Sequence, residues 1–167
     1  MIFLELGYNE ATFLEIDNKK SNDMDEDQLR SAIAQILSNQ KKKKRAFISF
    51  DFDNDEFLRT AIIGQAKNED SPFDISDWSV QKPFTESTWE QKVLARIKQT
   101  DVVIVMVGER TYTCEGVLKE IAMAKIANVP YFGIQGYSDK NCPVPYGLET
   151  IYQWTWPNIK LLIDGNR

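Results

Sequence analysis

The stretch Asp101–Ile134 reads DVVIVMVGERTYTCEGVLKEIAMAKIANVPYFGI, and it decides the fold. Asp101 to Val107 is a nearly pure apolar run, the pattern of a strand covered on both faces, which is usually parallel and central. Further on, Val117, Leu118, Ile121, Ala124 and Ala127 recur at helical spacings of three and four. Asn128 and Pro130 end that helix, and Tyr131 to Ile134 read as the next strand. Glu120 is a carboxylate set near the first turn of this apolar helix. In alternating α/β chains that end of a helix adjoins the carboxyl edge of the sheet, where ligands collect.

Working outward, Ala46 to Phe50 alternates small and large apolar groups as a buried strand does. Asp51-Phe52-Asp53-Asn54-Asp55 forms an acidic loop ahead of a helix over Glu56 to Ala66. A looser stretch, Asn68 to Glu86, contains Pro72, Pro83 and the segment Phe73 to Trp78, which holds a short strand and reads as a pocket-facing loop. Thr88 to Gln99 puts Val93, Leu94 and Ile97 on one helical face, and Pro157 to Ile163 forms a last helix. Trp154 and Trp156, two apart, read as packing residues on opposite faces of an extended segment. This alternation predicts an α/β fold with a doubly wound, mainly parallel, flavodoxin-like sheet in three layers.

The run Gln40 to Arg45, QKKKKR, marks a boundary, because adjacent positive charges repel and resist burial. Residues 1–44 read as a β-β-α extension, with strands Met1 to Leu6 and Ala11 to Ile16 around Gly7-Tyr8-Asn9 and a helix over Asp25 to Ser38. Residues 45–167 form the α/β domain.

Composition narrows the chemistry. A net charge of −5 argues against general nucleic-acid binding. No apolar run approaches the roughly 18 to 20 residues that cross a bilayer, and the N-terminus lacks the pattern of a signal peptide, so the chain reads as cytoplasmic. With no histidine, neither a Ser-His-Asp nor a Cys-His arrangement can be built, and the commonest zinc ligand is missing. Cys114 and Cys142 lack CxxC spacing. Asp51, Asp53 and Asp55 have the composition of a Mg2+ site, but a solvated helix-capping loop is the preferred reading, and no metal is expected. Neither GxGxxG nor a P-loop is present.

Several segments together resemble the TIR-like family that includes the signalling protein of the Thoeris antiphage system. They are RAFISFDFDND, FDISDWS, the whole stretch Asp101–Ile134 with its GERT segment followed by KEI, and the closing IYQWTWPNIKLLI. In TIR domains that degrade NAD+, a glutamate in the helix after the fourth strand is catalytic, and that position falls on Glu120. The resemblance implies a substrate site at the strand ends built from Phe50, Asp51, Asp77, Trp78, Arg110 and Thr111. NAD+ would be the substrate, with no separate cofactor. It also implies assembly into homo-oligomers and a downstream effector protein that receives an ADP-ribose-type signal. Many TIR enzymes place a tryptophan four residues before the glutamate, where this chain has Gly116. Two other readings stand beside the enzyme: a non-catalytic TIR-like assembly module, and a nucleoside deoxyribosyltransferase-like enzyme, which the segment EGVLKEIAMAKIANVP also resembles.

Overall fold

In a computed structural model, which describes residues 25–39, 42–75 and 86–166, side chains of the fully apolar strand sort alternately into two cores. This strand is β3, Val102–Val107, and each of its six residues is buried. Val102, Ile104 and Met106 enter one core; Val103, Val105 and Val107 enter the other. A period of two on a sheet covered on both faces requires that division.

The other strands are β1 (Lys44–Ser49), β2 (Phe73–Ile75), β4 (Tyr131–Gln135) and β5 (Ile151–Gln153). Every pairing is parallel, and the order is β2-β1-β3-β4-β5. Helices α1 (Glu26–Asn39), α2 (Glu56–Ala66), α3 (Glu86–Ile97), α4 (Glu115–Ile126) and α5 (Trp156–Ile163) complete the described elements. One core takes Leu58, Ile62 and Ala66 of α2 with Ile159, Leu162 and Ile163 of α5. The opposite core takes Val93 and Ile97 of α3 with Val117, Ile121 and Ala124 of α4. The result is a doubly wound, three-layer, flavodoxin-like α/β sandwich, as the sequence predicts.

The chain divides into two units at Lys41 and Lys42. In the first, α1 begins beside Asp25, whose side chain accepts the Gln28 N–H at 2.8 Å as an N-cap. The predicted hairpin before it lies outside the described residues. In the second, β1 starts within the basic run, where the charges find acids at the amino edge of the sheet. Arg45 donates to Asp101 from its backbone N (2.8 Å) and from its guanidinium (both 3.3 Å), which holds the Asp101 carboxyl below its ordinary value. Lys43 Nζ reaches the Asn68 carbonyl at 3.1 Å.

The C-terminal segment departs from expectation. Ile151–Gln153 forms an edge strand too short and too little apolar to announce itself, and Trp156 opens α5 instead of continuing an extended segment. Trp154 donates its indole N–H to Gln65 Oε1 at 2.7 Å, packing the edge onto α2, while Lys160 lies over the Trp156 ring. Among the described residues, no helix is long and apolar enough to cross a membrane.

Candidate functional site

Because all strands are parallel, the loops following them gather at one edge of the sheet. The strand order reverses direction between β1 and β3: β1 connects outward through α2 to β2, and β3 connects the other way through α4 to β4. Such a switch point opens a crevice between the diverging loops, the usual ligand site in this architecture. Glu120 occupies this corner. It lies in the second turn of α4, one turn deeper than the sequence suggested, and its carboxylate accepts a hydrogen bond from the Ser49 hydroxyl at the end of β1.

The electrostatics of Glu120 are unusual for a surface helix. Burial pushes its carboxyl up to about 7 from an ordinary 4.5, and the Ser49 hydrogen bond only partly opposes this. Glu120 is half-buried, and the Ser49 hydroxyl holds its Oε2. Gly116 stands one turn earlier on the same helix face, and a Cβ built there would meet nothing within 4 Å. A helical side chain leans toward the preceding turn, so Glu120 extends toward that gap.

The β1–α2 loop is not solvated as its composition suggests. Asp51 is 5 % exposed and Asp55 is 3 % exposed, whereas Asp53 is open. Asp51 organises its own loop, accepting from Asp53 N at 3.1 Å and Asn54 Nδ2 at 2.8 Å. Asp55 precedes α2 but its side chain does not cap it. Instead it accepts hydrogen bonds from Thr111 Oγ1 and Tyr137 OH, both at 3.2 Å. The Thr111 oxygen in turn accepts the Gly108 N–H at 2.7 Å. Gly108 has no room for a side chain, since a Cβ would run into the Asp55 carboxylate. Burial raises the Asp55 carboxyl above its ordinary value, against the Thr111 and Tyr137 hydrogen bonds. One buried carboxylate thus joins the loops after β1, β3 and β4. The solvated capping reading is corrected: Asp55 faces inward because two hydroxyls from distant loops await it. Among the described residues, no group of three or more Asp, Glu or Cys side chains is placed to hold a metal ion.

Of the residues predicted for the site, Phe50 is half-buried against the α2/α5 core with its ring 6.0 Å from Phe52, and Asp51 follows it in the buried loop. Thr111 is fully buried, and its hydroxyl is committed to Gly108 and Asp55. Arg110 is exposed at the start of the 3-10 turn Thr111–Thr113. Asp77 and Trp78 lie outside the described residues. Cys114 precedes α4, and burial pushes its thiol up, with the charges of Asp51 and Glu120 adding to the shift and the N–H groups of Val117 and Gly116 opposing it. Such a thiol stays protonated and is a poor nucleophile. The structure brings Ser49, Asp51, Cys114 and Glu120 to one corner. Ser49 escaped the sequence reading, and Asp55 was read there only as part of a solvated loop. The one hydroxyl in RAFISF was a signal for Ser49, but nothing local distinguishes Asp55 from Asp53.

An open depression of about 510 Å3 lies elsewhere, lined by Lys125, Asn128, Val129, Pro130, Tyr131 and Gly165. It sits at the far end of α4 and the start of β4, and offers one amine and no carboxylate. The corner at Glu120 is therefore the better candidate.

Two solved structures are similar to this chain. The TIR domain of the Toll-related receptor TRR-2 from Hydra magnipapillata is 12% identical, over 74% of this chain and 94% of that one, with a TM-score of 0.48. A prokaryotic SEFIR domain is 15% identical, over 74% and 89%, with a TM-score of 0.44. No curated protein matches the sequence. The family model described as Thoeris protein ThsB, TIR-like domain, matches residues 47–141, which run from β1 past α4 and β4 and include Ser49, Asp55, Thr111 and Glu120, and the chain belongs to that family of TIR signalling domains.

Proposed function

We propose that this TIR-like domain cleaves the bond between nicotinamide and ribose in NAD+, with Glu120 as the reactive carboxylate. The observation that carries the reading is the Glu120 carboxyl itself: half-buried, raised in pKa by desolvation and held through Oε2 by Ser49, at the switch point of a parallel sheet. In the reaction the C1′–N bond breaks and its electron pair goes to the pyridinium nitrogen. Nicotinamide therefore leaves as a neutral molecule and needs no general acid, so a chain without histidine suffices. Positive charge builds on the ribose, and a nearby carboxylate in a water-poor corner stabilises it. Water then adds at C1′ and loses its proton, giving ADP-ribose; attack by a nucleophile of the same molecule would give a cyclic product. Asp51 stands at the same corner, and Phe50, Asp77, Trp78, Arg110 and Thr111 complete the proposed pocket wall, with Thr111 acting through the loop it pins.

The family's name supports a role in antiphage defence; in this reading the ADP-ribose-type product would act in the cytoplasm on a separate effector protein. A second reading, a self-assembling TIR-like module without catalysis, draws on Phe57 and Tyr146, which are 67% and 91% exposed. Purified protein, dilute and under crowding, is to be incubated with NAD+ and free nicotinamide followed by chromatography. Wild type should release nicotinamide and Glu120→Gln should not. Equal traces from both would sink the reading in favour of the assembly module. Cleavage of a deoxynucleoside but not NAD+ would move the substrate to the nucleoside class.

A further inference from the structure

Ser49 is a polar residue in a place where only packing is needed. It has no exposed surface, and it ends a strand whose Ala46, Phe47 and Ile48 are all buried apolar groups. Alternation along β1 sends Ala46 and Ile48 to the α2/α5 core and Phe47 to the α3/α4 core, so Ser49 points toward α4. A buried hydroxyl costs free energy unless it is hydrogen-bonded. Its partner is Oε2 of Glu120, 71 residues along the chain.

We propose that Ser49 is the positioning residue of the Glu120 carboxylate: its hydroxyl clamps Oε2 and turns Oε1 toward the gap beside Gly116, where a ligand would meet it. The proposal rests on the reading of Glu120 as the reactive group. Its consequence is control of the proton. Asp51, on the β1–α2 loop, and Cys114, at the start of α4, stand at this corner, and neither is a cation. Burial favours the protonated acid, and Ser49 is the one group that favours the carboxylate. Ser49 therefore decides at which pH the ionised, charge-stabilising form is available.

The test uses full-length protein labelled with 13C at the glutamate side-chain carboxyl, with the Glu120 signal assigned by its absence in Glu120→Gln. Wild type should titrate near pH 7. Ser49→Ala should titrate about one pH unit higher, the equivalent of a hydrogen bond to a charged group, and Ser49→Thr should return toward wild type. With NAD+, kcat of Ser49→Ala should fall at least about fivefold at pH 7 and regain part of that loss above pH 9, with KM little changed. An unmoved Glu120 midpoint in folded Ser49→Ala overturns the proposal, as does a kcat equal to that of wild type at pH 7. Should Ser49→Ala fail to fold, Ser49→Cys, of similar shape but a weak donor, carries the same titration. The titration decides the role of Ser49 even if wild type releases no nicotinamide, in which case the proposed function fails separately.

Discussion

A carboxyl group moved from water into the corner between β1 and α4 holds its proton longer, and for Glu120 the midpoint is about 7. The folded state therefore binds a proton that the unfolded chain has released above about pH 4.5. Stability from this source is complete below pH 4.5 and is lost as the pH rises through 7, to the extent of about 3 kcal/mol. Glu120→Gln cannot lose it. Urea unfolding at pH 5, 6, 7 and 8 should show wild type weakening relative to the variant across that window, with the variant the more stable at pH 8. Parallel curves for the two proteins would mean that Glu120 titrates as an ordinary surface glutamate. Glu120 itself was legible in the sequence, because a charge inside an apolar helix next to a buried strand stands out within a few residues. Ser49 was not, since its meaning comes from a partner 71 positions away.

At the scale of elements, the connection between the loops rests on Asp55. Removing its carboxylate leaves the Thr111 and Tyr137 hydroxyls without an acceptor, while relieving the cost of burying a charge. Asp55→Ala should destabilise by about 2 to 4 kcal/mol and Thr111→Val by about 1 to 2 kcal/mol. In a double-mutant cycle the pair should couple by roughly 0.5 to 2 kcal/mol. Additive losses in denaturant melts would show that the 3.2 Å contact contributes nothing. Two glycines make a sharper contrast. Gly108→Ala drives a methyl group into Asp55 and should cost more than about 2 kcal/mol, whereas Gly116→Ala enters open space in a helix and should be neutral or stabilise by up to about 1 kcal/mol. Similar melting temperatures for the two variants would contradict the packing described for the β3–α4 loop. The helices and inner strands were legible because α2, α4 and β3 each bury a face with its own period. Edge strand β5 was not: it has three residues, and none is buried. Asp55 was read as a solvated cap because its true partners lie 56 and 82 residues away.

At the scale of the whole molecule, parallel strands and the β2-β1-β3-β4-β5 order place every loop after a strand at one edge, and the reversal between β1 and β3 opens that edge at Glu120. The class of fold followed from strands and helices alternating around DVVIVMV, but the pairings that set the strand order, and with it the place of the switch point, are written in no local pattern. In the proposed reading the function follows from the charge on Glu120 and so would carry that group's pH dependence, the ionised form stabilising the ribose cation and the protonated form not. The most direct measurement is the rate of nicotinamide release from NAD+, followed by proton NMR from pH 5 to 9 for wild type and Glu120→Gln. The account predicts a wild-type rate that rises through pH 7 to a plateau, with the variant flat at the background of uncatalysed hydrolysis. A wild-type rate independent of pH across that range, or a variant as fast as wild type, would contradict it.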